Sequence, residues 1–174
     1  GIRECIKVGD NIGCQGEKII SKIIRRFKGG RWNLSHIAVI IRDVTNEGTG
    51  RVEVLEAVGK GGMQRNYLSK IYEANHGKLF WIQTGCNCEE RKAIMEMGAE
   101  IIGKKIKYDF KSTWLAVFSP IFMDAKKFNC SEVAWYLLTK AGKFAKRYDG
   151  KKQIAPVPGD LPDWIGVEPI EIDM

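Results

Sequence analysis

Between Asn129 and Gly142 the apolar positions recur with helical spacing. Cys130, Val133, Ala134, Leu137, Leu138 and Ala141 fall at i, i+3, i+4, i+7, i+8 and i+11, one face of a 3.6-residue period. Asn129 can cap this helix, and Glu132 can reach back to the Asn129 N–H. Lys140 suits the last turn and Gly142 the stop. A second capping box, Asn87 with Glu90, opens a helix that runs to about Ile102. Ala93, Ile94, Met97 and Ile101 form its apolar side, and Gly103 ends it. Gly16 to Phe27 reads as a basic amphipathic helix, with isoleucines on one side and Lys18, Lys22, Arg25 and Arg26 on the other. Tyr67 to Ala74 and Ser112 to Phe118 read as shorter helical stretches.

The period changes to two elsewhere. Ser35 to Arg42 is rich in β-branched residues and suits a strand buried on both faces. Arg51 to Val58 follows a turn at Asn46 to Gly50, so the two strands predict a hairpin. Leu79 to Thr84 reads as a third core strand. Ile2 to Val8 and Asn11 to Cys14 read as short ones. Gly59 to Gly62 reads as a turn. Parity places His36 with Ala38 and Ile40, and Glu56 with Val52, Val54 and Val58. Glu56 therefore interrupts an apolar face, where a carboxylate needs a partner. Beyond Lys151 prolines recur, and the tail reads as extended across the surface, anchored by Trp164. Strands and helices in this mixture predict an α+β fold.

Composition narrows the picture. The chain has 174 residues, 44% of them hydrophobic and 28% charged, which fits one globular domain over residues 1–174. No apolar run reaches the roughly 20 residues of a membrane span, and no secretory signal is visible. The five cysteines are an odd, irregularly spaced set, unlike a disulfide framework. Reduced cysteines imply a cytoplasmic protein. Cys86-Asn87-Cys88 lacks the further ligands a zinc site needs. The net charge of +7 favours an anionic surface as a partner. Nucleic acid is not expected, because no recognition motif accompanies the charge.

Candidate chemistry centres on Cys130. A thiol at a helix N-terminus feels the positive end of the helix dipole, which favours thiolate. The same terminus offers N–H groups to an oxyanion. A buried hydrophobe is the plainer reading of a free cysteine. The chain has two histidines. His76 falls in an Asn-His-Gly turn, whereas His36 opens a core strand and is the better base. Glu56, one hairpin later, can accept the other imidazole N–H. Asp10 and Gln83 are the next polar groups that could do so.

Several short stretches then occur in a telling order. They are Gly9-Asp10, Ser35-His36-Ile37-Ala38-Val39-Ile40, Val54-Leu55-Glu56-Ala57-Val58, Tyr108-Asp109-Phe110, Asn129-Cys130-Ser131-Glu132-Val133-Ala134-Trp135, and Pro156-Val157-Pro158-Gly159-Asp160-Leu161. This succession, spread over nearly the whole chain, resembles the circularly permuted NlpC-like papain-fold cysteine hydrolases of the YiiX type. These are distantly similar to lecithin:retinol acyltransferase. The resemblance implies a small antiparallel sheet or half-barrel with helices packed around it, the nucleophile helix following the strands. It implies Cys130 as nucleophile, His36 as base, Glu56 as orienter and Tyr108 as a substrate contact. The implied reaction is acyl transfer through a thioacyl intermediate, with no metal or cofactor. An amide substrate, as in a peptidoglycan-type peptide or an N-acyl amino acid, is the first expectation. Lipid acyl transfer on the same fold is the second. A non-catalytic basic module that binds membrane or nucleic acid is the rival from another class.

Overall fold

A computed structural model describes residues 1–16, 22, 26, 31–45, 50–58, 61–75, 78–105, 107–108, 121–122, 127–144 and 154–173. Its centre is a six-stranded antiparallel sheet. The strands are β1 (Asn11–Cys14), β2 (His36–Arg42), β3 (Glu53–Val58), β4 (Gly62–Tyr67), β5 (Leu79–Ile82) and a late strand, Ile170–Ile172. Their spatial order is Ile170–Ile172, β5, β1, β2, β3, β4. β2, β3 and β4 thus form a meander of successive hairpins.

Pleating divides the sheet into two buried faces. On one face, Ile12, Cys14, Ala38, Ile40, Val54, Leu79 and Trp81 pack with Ile6, Leu68, Ile71 and Ile172. Ile6 follows the first helix, α1 (Ile2–Cys5), and Leu68 and Ile71 belong to α2 (Leu68–Ala74). On the other face, Ile37, Val39, Ile41, Leu55, Ala57 and Ile82 pack against two longer helices. These are α3 (Cys88–Gly103), which brings Ile94 and Ile101, and α4 (Cys130–Lys140), which brings Val133, Ala134, Leu137 and Leu138. Burial on both sides explains why β2 reads as an unbroken apolar run. Helix and sheet lie close. A Cβ at Gly98 of α3 would stand 2.8 Å from Ile41 Cγ2, so only glycine fits that crossing.

Both predicted capping boxes are present. Asn87 and Asn129 accept from Glu90 and Glu132 N–H, and each glutamate returns a bond to its cap. The remaining short strands are β6 (Lys107–Tyr108), β7 (Ile121–Phe122), β8 (Lys127–Phe128) and β9 (Ile154–Ala155). β6 pairs with β8 in parallel, and β7 with β9 antiparallel. The tail then makes a 3-10 turn at Pro158–Asp160 and a short helix, α5 (Leu161–Ile165), before the edge strand β10 (Ile170–Ile172) pairs with β5. Trp164 anchors it, as expected, edge-on to Trp135 at 5.1 Å. Asp163 accepts from the Trp32 indole at 3.1 Å.

Three expectations need correction. Ile2 to Val8 is not a strand. One helical turn forms over Ile2–Cys5, with Ile6 N–H bonded to Ile2 O at 3.3 Å, and Ile6 and Val8 still reach the core. The chain then turns at Gly9, whose φ of +89° is open to glycine. Second, Gly62 does not end a turn but begins β4. Met63 is the one clearly apolar inward position of that strand, so its period of two is masked by Gln64, Arg65 and Asn66. Third, the tail is not merely extended, because it holds α5 and adds β10 to the sheet. The Gly16 to Phe27 and Ser112 to Phe118 helices and the Asn46 to Gly50 turn lie wholly or mostly outside the described residues. Among those described, no helix is long and apolar enough to cross a membrane.

Candidate active site

The first turn of α4 is tied at both ends of its cap. Asn129 Oδ1 accepts from Glu132 N–H at 3.0 Å and from the Ser131 hydroxyl at 3.2 Å. Glu132 Oε2 accepts from Asn129 N–H at 2.6 Å. Cys130 is thereby fixed as the first helical residue. Its apolar successors hold α4 against β2 and β3. The side chain is buried, with 6% of its surface exposed.

His36 is the first residue of β2, and the Cys130 thiol lies close enough to act on the charge of its imidazole. On its other side, His36 Nε2 lies 3.0 Å from Glu56 Oε2. The strand register makes this contact. Ala38 stands opposite Glu56 across the β2–β3 pair, so His36, two residues earlier on the same face, is its diagonal neighbour. The pattern repeats one strand further. Asn66 of β4 stands opposite Val54, and its Nδ2 donates to Glu56 Oε1 at 2.9 Å. Both oxygens of the carboxylate are therefore bonded. The sequence-based reading brought together Cys130, His36 and Glu56, and the structure joins all three.

The electrostatics follow from this contact chain. Burial opposes a charge on His36, but hydrogen bonds with Cys130 and Glu56, and their charges, outweigh it and raise the imidazole to about 10. Burial likewise opposes a charge on Glu56, yet the His36 hydrogen bond and charge, helped by Asn66, hold its carboxyl below the usual range. Imidazolium and carboxylate are the favoured forms at neutral pH. His36 is 24% exposed at its side chain and Glu56 8%, so the pair is shielded from salt more than a surface pair. Cys14 adds a second thiol. It pairs with His36 across β1 and β2, and burial, then the charges of Glu56 and Cys130, push it up.

The other candidates fall elsewhere. Tyr108 belongs to β6 and pairs through its backbone with Phe128, two residues before Cys130. Its side chain and all of His76 lie outside the described residues. Asp10 is engaged far from His36: it accepts from Trp81 Nε1 at 2.9 Å and from Thr84 N–H at 3.0 Å. Gln83 is exposed. Asn66 went unrecognised because β4 itself did. The signal available was Met63 alone, directly after a hairpin turn. All five cysteines are free.

The molecule is thus an α+β protein with a thiol, an imidazole and a carboxylate joined where β2 begins. No family model matches the sequence, and no curated protein does. Among solved structures it is similar to the crystal structure of metalloprotein yiiX from Escherichia coli O157:H7, DUF1105. The TM-score is 0.58 at 19% sequence identity, and the match covers 86% of each chain. The chain therefore has a YiiX-like fold. That neighbour is a metalloprotein. Here, no three His, Cys, Asp or Glu side chains among the described residues are grouped to hold a metal ion. His36 Nε2 faces Glu56.

Proposed function

We propose that this protein is a cysteine hydrolase of permuted papain-like type that cleaves an amide bond. The observation that carries the reading is the grouping of Cys130, His36 and Glu56, with the imidazole bonded to the carboxylate at 3.0 Å and influenced by the thiol. In this reading His36 holds the proton of the Cys130 thiol. The thiolate sulfur attacks the substrate carbonyl carbon, and the carbonyl oxygen becomes an oxyanion. First-turn N–H groups of α4 left over by the cap are suited to receive it. The tetrahedral intermediate collapses, the C–N bond breaks, and His36 gives its proton to the leaving amine. Water then attacks the thioacyl carbon as His36 takes a proton from it. The C–S bond breaks, leaving the Cys130 thiolate beside the His36 imidazolium, and the carboxylic acid product loses its proton to solvent. Glu56 keeps the imidazole oriented and stabilises its charged form. A peptidoglycan-type peptide or an N-acyl amino acid carries a bond of this class.

The test is intact-mass analysis during turnover of an acyl p-nitroanilide panel, with phospholipids as competing acyl donors. An acyl adduct on Cys130, absent in Cys130→Ala, is the expected result. An adduct formed from phospholipid alone would move the reading to lipid acyl transfer. No adduct from any donor, with folded protein, would sink the catalytic reading.

A further inference from the structure

The Glu56 carboxylate raises a geometric question of its own. Only one of its oxygens faces His36. A carboxylate on a single bond can swing about its side-chain torsions, and each swing would misalign the imidazole. The other oxygen meets Asn66 Nδ2 at 2.9 Å. The Asn66 amide is itself fixed, because its Oδ1 accepts from Tyr67 N–H at 3.1 Å. The two bonds settle the orientation of the amide chemically. An N–H can face only Oδ1, and a carboxylate can face only Nδ2. Rotating the amide by half a turn would set donor against donor and acceptor against acceptor. His36, Glu56 and Asn66 come from three adjacent strands, so the sheet register holds the row in line.

We propose that Asn66 is a positioning residue that locks the Glu56 carboxylate toward His36. This inference rests on the catalytic reading above for its purpose, but not for its test. The amide supplies one charge-assisted hydrogen bond to a buried acceptor, a strong class of contact. Aspartate at this position would keep the acceptor for Tyr67 N–H and lose the donor for Glu56. It therefore separates a role in the strand from a role in the site.

The experiment measures Cys130 alkylation by iodoacetamide against pH, by peptide mapping. Asn66→Ala and Asn66→Asp should each slow alkylation near pH 6, by roughly tenfold for a lost bond to a charged group. Both should keep the circular dichroism of the native chain. In a Glu56→Gln background, Asn66→Ala should add little, because the two residues act through one contact. Proton NMR gives a second readout. The chain has two histidines, and Asn66→Ala should lower the titration midpoint of His36 and leave that of His76 unmoved. Unchanged alkylation and an unchanged His36 midpoint in a folded variant would overturn the proposal. So would losses that simply multiply in the double variant. If no substrate is ever turned over, the hydrolase reading fails alone, and the His36 midpoint still decides the role of Asn66.

Discussion

Ala38 is the direct cross-strand partner of Glu56, and His36, two residues earlier on the same face, reaches the carboxylate diagonally at 3.0 Å. A larger side chain at position 38 would compete for the space between them. Between His36 and Arg42 the other residues of β2 are Ile and Val, which its two buried faces favour. We predict that Ala38→Leu breaks the His36–Glu56 contact. Overpacking should cost about 1–3 kcal/mol of stability, read as a lower melting temperature. The signature of the site is separate: Cys130 alkylation near pH 6 should fall by at least about tenfold. If that rate survives while the melting temperature drops, the diagonal contact does not need the small residue.

Reactivity should distinguish Cys130 by chemistry and not by access. Cys5 and Cys88 are the exposed cysteines, and Cys130 is buried. Ordinary thiols are ionised near pH 8.5 and are nearly idle at pH 6. We predict that limiting iodoacetamide at pH 6 labels Cys130 first. Preferential labelling of Cys5 or Cys88 at pH 6 would argue against the ion pair with His36.

The coupled pair makes a stability prediction with a definite sign. His36 is raised to about 10 in the folded chain. Its contribution is full below the ordinary histidine value near 6.5 and is lost as pH rises through the folded value. Glu56 is lowered. Its contribution is present above the ordinary glutamate value near 4.3 and is lost as pH falls through the folded one. The stabilisation of wild type over Glu56→Gln should therefore peak at about pH 5–6 and shrink towards both pH 3 and pH 10. Thermal melts at these three values measure it. A difference that is constant with pH would mean that Glu56 contributes by shape alone.

Asp10 provides the contrast. It is buried and accepts from Lys7 N–H at 3.0 Å as well as from Trp81 and Thr84, so it ties the turn before β1 to β5. We predict that Asp10→Ala costs about 2–4 kcal/mol by orphaning buried donors, seen in urea unfolding. The Cys130 alkylation profile of the variant, measured while it is still folded, should match wild type. A displaced profile would reopen Asp10 as part of the site.

Much of this arrangement was legible because its determinants are local. The Asn129–Glu132 and Asn87–Glu90 capping boxes are set by residues three apart, and β2 and β3 declare themselves through β-branched content and parity. Glu56 was visible as a polar residue in an apolar phase. What escaped depends on distant chain. β4 lacks an apolar signature because it is an outer strand of the sheet, and it is held by pairing with β3. With it went Asn66. β10 is fixed by β5, far away in sequence. Between Ile2 and Cys5 a helical turn prevails over the alternating pattern of Ile2 to Val8. Tyr108 was placed by resemblance, and only its backbone pairing with Phe128 bears on it.

The meander from β2 to β4 has a consequence for the order of events on the ribosome. His36, Glu56 and Asn66 all lie within residues 36–66, whereas Cys130 begins α4. Hairpin contacts close short loops and form early, and domains emerge N-terminal end first. The imidazole and carboxylate can meet before the codon for Cys130 has been read. The thiol, for its part, gains its partner only when α4 settles on the finished sheet. In the reading proposed above, nascent chains thus carry an unarmed cysteine, and docking of one helix is the event that arms it.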